Sequence, residues 1–575
     1  MNQPRPEYPR PQLCRSAWCN LNGTWSYQFD PDVTGEVNGL ACSKGFSNEI
    51  SVPFCPESSL SGVGYTAFIP AMWYHRTIEI PQDWKGKRIL LHCGGIDYES
   101  EVYLDGHSVG NHSGGSTSVT HDITARVEPG QTQHLVIRVR DNIGSGIQPG
   151  GKQCREPESH GCWYTRVTGI WQTVWLEPVD LNGLRDLHIT PDLDGGRFVV
   201  SPRYYASMEN GTCQVKVFSG GALVGESVVP AADGIAATVP LKAIHPWSPD
   251  EPHLYELRVV VCDADGDVVD EVESYAGLRK IEVSGNRILL NNEPLYLRFV
   301  LDQGYYSTGI WTAPTDGDLK RDIELAKAAG FNGARLHQKV FEERYHYWAD
   351  RLGYLTFAEM PSWGCDYNSI EGGRNFLAEW ERMILRDRNH PSIIAWTAWN
   401  ESGEVTDLAQ YRSNVVACYE AAKHLDPKRP VHDASGYTHV RTDIWSIHSY
   451  KQDPALFREL LHAPGGVYRN KPELEPAYAG QPYFVAEFGG MKWMPTATSE
   501  AQHESWGYGD TPTTIEAYFE RLERLVEAIL ELEHATGYCF TQLTDVEQEH
   551  NGVYTYDRQP KFDPTRLCAI FSDEP

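Results

Sequence analysis

The spacing of apolar positions changes near residue 284. Before it, apolar and polar residues alternate in short runs. Trp73–Ile80, Arg88–Cys93, Glu101–Leu104 and His134–Val139 each read as half-buried strands. Asp105-Gly106 directly after one run is a hairpin signal. Residues 1–182 therefore predict a β-sandwich or jelly roll, with no competing helical period. Residues 183–283 repeat the pattern in Phe198–Val200, Gln214–Phe218 and Tyr255–Val261, and their length fits an immunoglobulin-like sandwich.

From 284 to 575, strands alternate with helices. Predicted strands are Leu295–Val300, Gly333–Leu336, Leu355–Ala358, Ile393–Trp399, runs at Val431, Ile444 and Tyr483, and Tyr538–Leu543. Helices are predicted over Asp318–Ala329, Phe376–Arg388 and Asp407–Leu425 and along the face Ile515, Phe519, Leu522, Val526 and Ile529. Eight strand–helix repeats over one domain predict a (β/α)8 barrel.

Two of these strands end in a carboxylate. Ile393–Trp399 is almost wholly apolar and is followed by Asn400-Glu401; Tyr483–Ala486 is followed by Glu487. A carboxylate at the end of a buried strand is costly unless paired or used, and that end of a barrel carries the chemistry. Strands four and seven face each other across the mouth. Glutamates there suit glycoside hydrolysis, in which one carboxylic acid protonates the leaving oxygen and an ionised carboxylate attacks the anomeric carbon. Asn400 is placed to donate to a sugar 2-hydroxyl. Trp396 and Trp399 are expected to desolvate Glu401 for the acid/base role, and Gly489-Gly490 to leave Glu487 open to donors as nucleophile. The ordinary alternative is that each glutamate closes an ion pair with an arginine such as Arg335. Other strand ends add Asp302, His337, Trp363, His448, Tyr450 and Gln542 as sugar-contact candidates. His337, His432 and His448 lack the spacing of a metal motif, so no metal and no cofactor is expected. No Gly-x-Ser-x-Gly elbow supports an esterase.

Composition narrows the class. The 575 residues are 41% hydrophobic and 22% charged, with net charge −28, which disfavours nucleic acid and anionic membranes as partners. Thirteen cysteines without CxxC pairs fit a reducing, cytoplasmic setting. Neither a signal-peptide core nor an 18-residue apolar run is present.

These residues resemble glycoside hydrolase family 2, which holds β-galactosidases, β-glucuronidases and β-mannosidases. The resemblance rests on Gly161–Gln172, Gly330–His337, Trp399-Asn400-Glu401-Ser402 and Phe484–Gly490. It implies the order jelly-roll sugar-binding domain, immunoglobulin-like sandwich, barrel, together with an exo-acting retaining mechanism and a homo-oligomer. It also implies Glu401 as acid/base, Glu487 as nucleophile, and Asn400, His337 and Tyr450 as contacts of the terminal sugar. The chain departs from the β-glucuronidase pattern: Glu549-His550-Asn551 stands where those enzymes carry Asn-x-Lys. Glu549 would repel a uronate, so a neutral sugar is expected, galactose or a pentose of similar configuration. A β-glucuronidase, a β-galacturonidase or a non-catalytic carbohydrate-binding protein is the alternative, and a transglycosidase would share the same residues.

Overall fold

The computed structural model describes residues 3–462, 467–494 and 505–575. The first sandwich pairs a four-stranded sheet with a six-stranded one. Its apolar alternation puts Trp25, Ile50, Met72, Tyr74, Leu91 and Ile137 between them. The Asp105-Gly106 hairpin turns as the pair predicts, with φ of 48° and 80°, and His107–Ser113 returns beside Glu99–Leu104. The second sandwich stacks three strands on four around Phe198, Val215, Tyr255 and Val259. A short antiparallel unit beginning at Ile281–Ser284 and Arg287–Leu290 then plugs the barrel floor. Its Ile281 and Ile288 pack with the interior residues Leu297, Phe299, Phe357 and Phe484.

Eight parallel strands form the barrel: Leu297–Asp302, Gly333–Leu336, Leu355–Glu359, Ile393–Asn400, Val431–Ser435, Trp445–Ser449, Tyr483–Gly489 and Ala535–Thr541. Backbone ladders run round the cylinder except between the fifth and sixth strands. Side chains bridge that seam: His432 Nε2 lies 2.6 Å from Ser446 Oγ, and Ser435 Oγ lies 2.9 Å from His448 Nε2.

The helix expected from Phe376 begins earlier, at Ile370, capped by the Ser369 hydroxyl. Gly372-Gly373 conceals its first turn in the sequence, because glycine is a poor helix former. Gly373 is needed for packing: a Cβ there would sit 2.1 Å from Asn414 Oδ1 on the next helix. No helix among the described residues is long and apolar enough to cross a membrane.

Candidate active site

Arg335 is the hub of the barrel mouth. It is the one charged residue within the Gly333–Leu336 strand and is fully buried. Its Nε donates to Glu359 Oε2 at 2.6 Å and its Nη1 to Glu487 Oε1 at 2.8 Å. Its Nη2 donates to Asn400 Oδ1 at 2.5 Å and to His337 Nδ1 at 2.8 Å. One planar guanidinium thus fixes four side chains from strands two, three, four and seven. Burial would raise the Glu487 carboxyl, but His448 and Arg335 outweigh it, with His337 and the Tyr450 hydroxyl adding to them; together they hold it down at about 2. The Tyr450 hydroxyl donates to Glu487 Oε2 at 2.5 Å. Glu487 is therefore an ionised carboxylate with a charged or hydroxyl donor on each oxygen.

Glu401 leaves its strand with a left-handed φ of 48°, a conformation uncommon outside glycine. Its Oε1 lies 2.9 Å from His448 Nδ1, and His448 Nδ1 is 3.3 Å from Glu487 Oε2. One oxygen each of Glu401 and Glu487 and a nitrogen of His448 lie within 4.8 Å of one another. By distance these three could also ligate a cation. The guanidinium already on Glu487 works against that.

The remaining candidates separate. His337, held neutral by burial and by Arg335, accepts at Nδ1, so its proton sits on Nε2 as a donor. Asn400 has its oxygen taken, and its buried Nδ2 has no partner among the described residues. Trp363 lines a cavity of about 530 Å³ with Glu401, Asn400, Tyr437 and Trp163 of the first sandwich. Asp302 belongs elsewhere. Its oxygens accept from Gly304 N at 2.9 Å and Tyr345 OH at 3.3 Å, and its charged neighbours are Asp322, Arg558 and Lys339. Gln542 spends its amide on Asn551 Oδ1 and its oxygen on Gln303, both within the protein. It supports the loop that carries Glu549. Glu549 itself accepts from the Tyr164 hydroxyl and from Asn551 Nδ2 at 2.8 Å.

Of two further expectations, the first fails and the second is met by another route. Trp396 and Trp399 pack outward into the helical layer, Trp396 donating to Asp426 and Trp399 stacked on Phe376 at 3.8 Å. Glu487 is reached by donors, Arg335 and Tyr450, and Gly490 acts on the second of them indirectly. Gly490 makes room for Tyr508, which stacks on Tyr450 at 3.4 Å. Arg335 had a visible signal, a charge inside an apolar strand. Lys152 had none: it comes from the first sandwich, and its Nζ lies 3.7 Å from the centre of the Trp363 ring.

Three family models cover the chain in order: Glycosyl hydrolases family 2, sugar binding domain (19–176); Glycosyl hydrolases family 2 (183–279); and Glycosyl hydrolases family 2, TIM barrel domain (281–564). The chain belongs to glycosyl hydrolase family 2. It is a glycosidase with the family's three-part architecture. A β-glucuronidase of Paenibacillus borealis is 25% identical over 96% of both chains. A β-galactosidase of Psychromonas ingrahamii is 26% identical over 75% of this chain, which spans 41% of that relative. The structure of a Ruminococcus gnavus β-glucuronidase in complex with D-glucuronic acid superposes with a TM-score of 0.81. It is 23% identical over 99% of this chain and 100% of that one, a likeness of fold.

Proposed function

We propose that this family 2 glycosidase is exo-acting and retaining, and removes a terminal β-linked neutral sugar of the galactose type. The observation that carries this reading is the pair Glu401–Glu487. Their oxygens approach within 4.8 Å, in keeping with the separation of about 5–5.5 Å that a double displacement requires. Glu487, held ionised, attacks the anomeric carbon. Glu401 protonates the departing oxygen, then takes a proton from the water that releases the sugar. His448 bridges the two and keeps Glu401 turned toward the reacting bond. Within the barrel, Asn400 Nδ2 and His337 Nε2 are donors left for the sugar ring.

Charge supports a neutral sugar. Among the described residues, Glu401, Glu487 and Glu549 face one unshared cation, Lys152, since Arg335 is already divided between Glu359 and Glu487. A sugar carboxylate would add an anion to that set. The second reading is a β-glucuronidase or β-galacturonidase, favoured by the full-length resemblance to a protein named β-glucuronidase.

A panel of nitrophenyl β-glycosides, with galactose, glucuronate, galacturonate, mannose, xylose and arabinose as the sugar, decides between the two. Glu487→Gln should abolish turnover in a folded protein. Glu401→Ala should spare glycosylation by activated aryl glycosides and slow the second step, with azide restoring the rate as a glycosyl azide of retained configuration. Unchanged turnover in the first variant, or no azide rescue in the second, removes the assigned role.

A further inference from the structure

The first sandwich sends a loop over the barrel mouth, and that loop carries a buried cation with no acceptor among the described residues. Gly150 and Gly151 donate their backbone N–H groups to Trp363 O at 2.9 and 2.8 Å, and Gly151 also reaches Pro361 O at 3.2 Å. Gly151 has φ of 61°, and a Cβ there would sit 2.2 Å from Gln338 O. Only glycine lets the two backbones close so tightly. Lys152 follows. Its carbonyl accepts from Tyr164 N at 2.8 Å, and the Tyr164 hydroxyl in turn reaches Glu549. The loop is thus clamped to the barrel on one side and tied to Glu549 on the other.

The Lys152 side chain is 6% exposed. Its ammonium lies over Trp363 and has no hydrogen-bond or ion-pair partner among the described residues. Its electrostatic neighbours are Cys162, Glu549, Glu401 and Glu487, so it faces the reaction centre. A buried ammonium keeps three donors that water or a ligand must satisfy. Glu549 stands on the same side with both oxygens already stabilised, which leaves them able to accept further hydroxyl protons.

We infer that Lys152 is a specificity-determining residue, delivered across the domain boundary, that donates to ring hydroxyls of the terminal sugar while Glu549 accepts from them. The inference rests on the glycosidase reading above and extends it to a residue outside the barrel. A cation beside an anion matches a neutral polyol, whose hydroxyls both donate and accept, better than it matches a second anion.

The test compares the wild type with Lys152→Met and Lys152→Arg on the same nitrophenyl panel, with melting curves confirming the fold. Lys152→Met should lower kcat/KM on the preferred neutral glycoside by roughly 10- to 100-fold, mostly through KM, as for loss of a charged hydrogen bond. Lys152→Arg should restore part of it. A series of monodeoxy galactosides then locates the contact. One deoxy substrate should be poor for the wild type yet suffer no further loss with Lys152→Met. A change in kcat/KM of less than twofold, or equal losses on every deoxy substrate, overturns the assignment. So does a wild type that prefers uronides and loses only those with Lys152→Met, since Lys152 would then hold a carboxylate. Titration calorimetry of galactose and glucuronate into wild type and Lys152→Met reads the same contact without turnover. A dead panel with Lys152-dependent galactose binding would sink the hydrolase assignment and keep the Lys152 contact; a dead panel with no such dependence would sink both.

Discussion

Asn400 is closed at its oxygen and open at its nitrogen. Arg335 takes Oδ1 at 2.5 Å, which fixes the amide orientation and leaves Nδ2 buried with no acceptor among the described residues. An unmade hydrogen bond of that kind costs about 1–3 kcal/mol in the free protein, and it is recovered only when an oxygen arrives. On the proposed glycosidase reading the occupant is the sugar 2-hydroxyl, whose bond to the protein strengthens as positive charge builds at the anomeric carbon. Asn400→Ala should therefore lower kcat by roughly 10²- to 10³-fold, the usual effect of removing one preorganised donor. The same variant should lose almost nothing on a 2-deoxy glycoside. Parallel kinetics on the two substrates give the answer, and equal losses would place Nδ2 elsewhere than on the 2-hydroxyl.

Among the elements, the fifth and sixth barrel strands depend most on side chains. No ladder joins them, and Ser446 does that work: its Oγ meets His432 Nε2 and accepts from Gly436 N at 2.9 Å. Ser446→Ala should cost about 1–3 kcal/mol by orphaning buried partners, seen as a lower melting temperature. Because His448 sits on the same strand and bonds to Ser435 across the seam, azide rescue of the second step should also weaken. This element shows what pattern reading could reach. Apolar runs and helical faces located all eight strands, since burial on both sides leaves a strong signal. They could not say which strand-end residue turns inward. Asp302 and His337 look alike in sequence, yet one bonds to Gly304 and Tyr345 while the other joins Arg335. Trp396 and Trp399 failed for the same reason, as a run of apolar residues carries no mark of its inner and outer faces. Lys152 was beyond reach because its partner, Trp363, lies 211 positions away (363 − 152).

Across the whole molecule, the join between first sandwich and barrel holds a cluster of buried acids that should make it sensitive to pH. Glu57, pushed up to about 8 by burial and only partly relieved by Thr168, lies beside Asp97 and Asp141. Burial also lifts Asp141 to about 6 and, on the barrel helix Ile370–Asp387, Glu379 to about 7. Each of these acids binds its proton more tightly folded than unfolded. Their contribution is complete below the unfolded value near 4.5 and is lost as pH rises through 6, 7 and 8. Buried histidines act oppositely: His112 and His121, held down to about 4 by burial, favour the fold above about 6.5 and lose that contribution as pH falls toward 4. The two effects oppose each other between about 4.5 and 6.5, and above 6.5 only the acids act, so stability should decline from there to about pH 8 and then level. Glu57→Gln removes one titrating group while keeping an acceptor for Thr168 N, so its melting temperature should fall less between pH 6.5 and 8 than that of the wild type. Parallel curves for the two proteins would exclude Glu57 as the source. The seam also holds the substrate loop, for Gln153, next to Lys152, donates to Asp97 Oδ2 at 2.7 Å. Ionisation of this cluster should loosen the loop before the barrel. KM should then rise with pH ahead of any fall in kcat, and the Glu57→Gln variant should delay that rise.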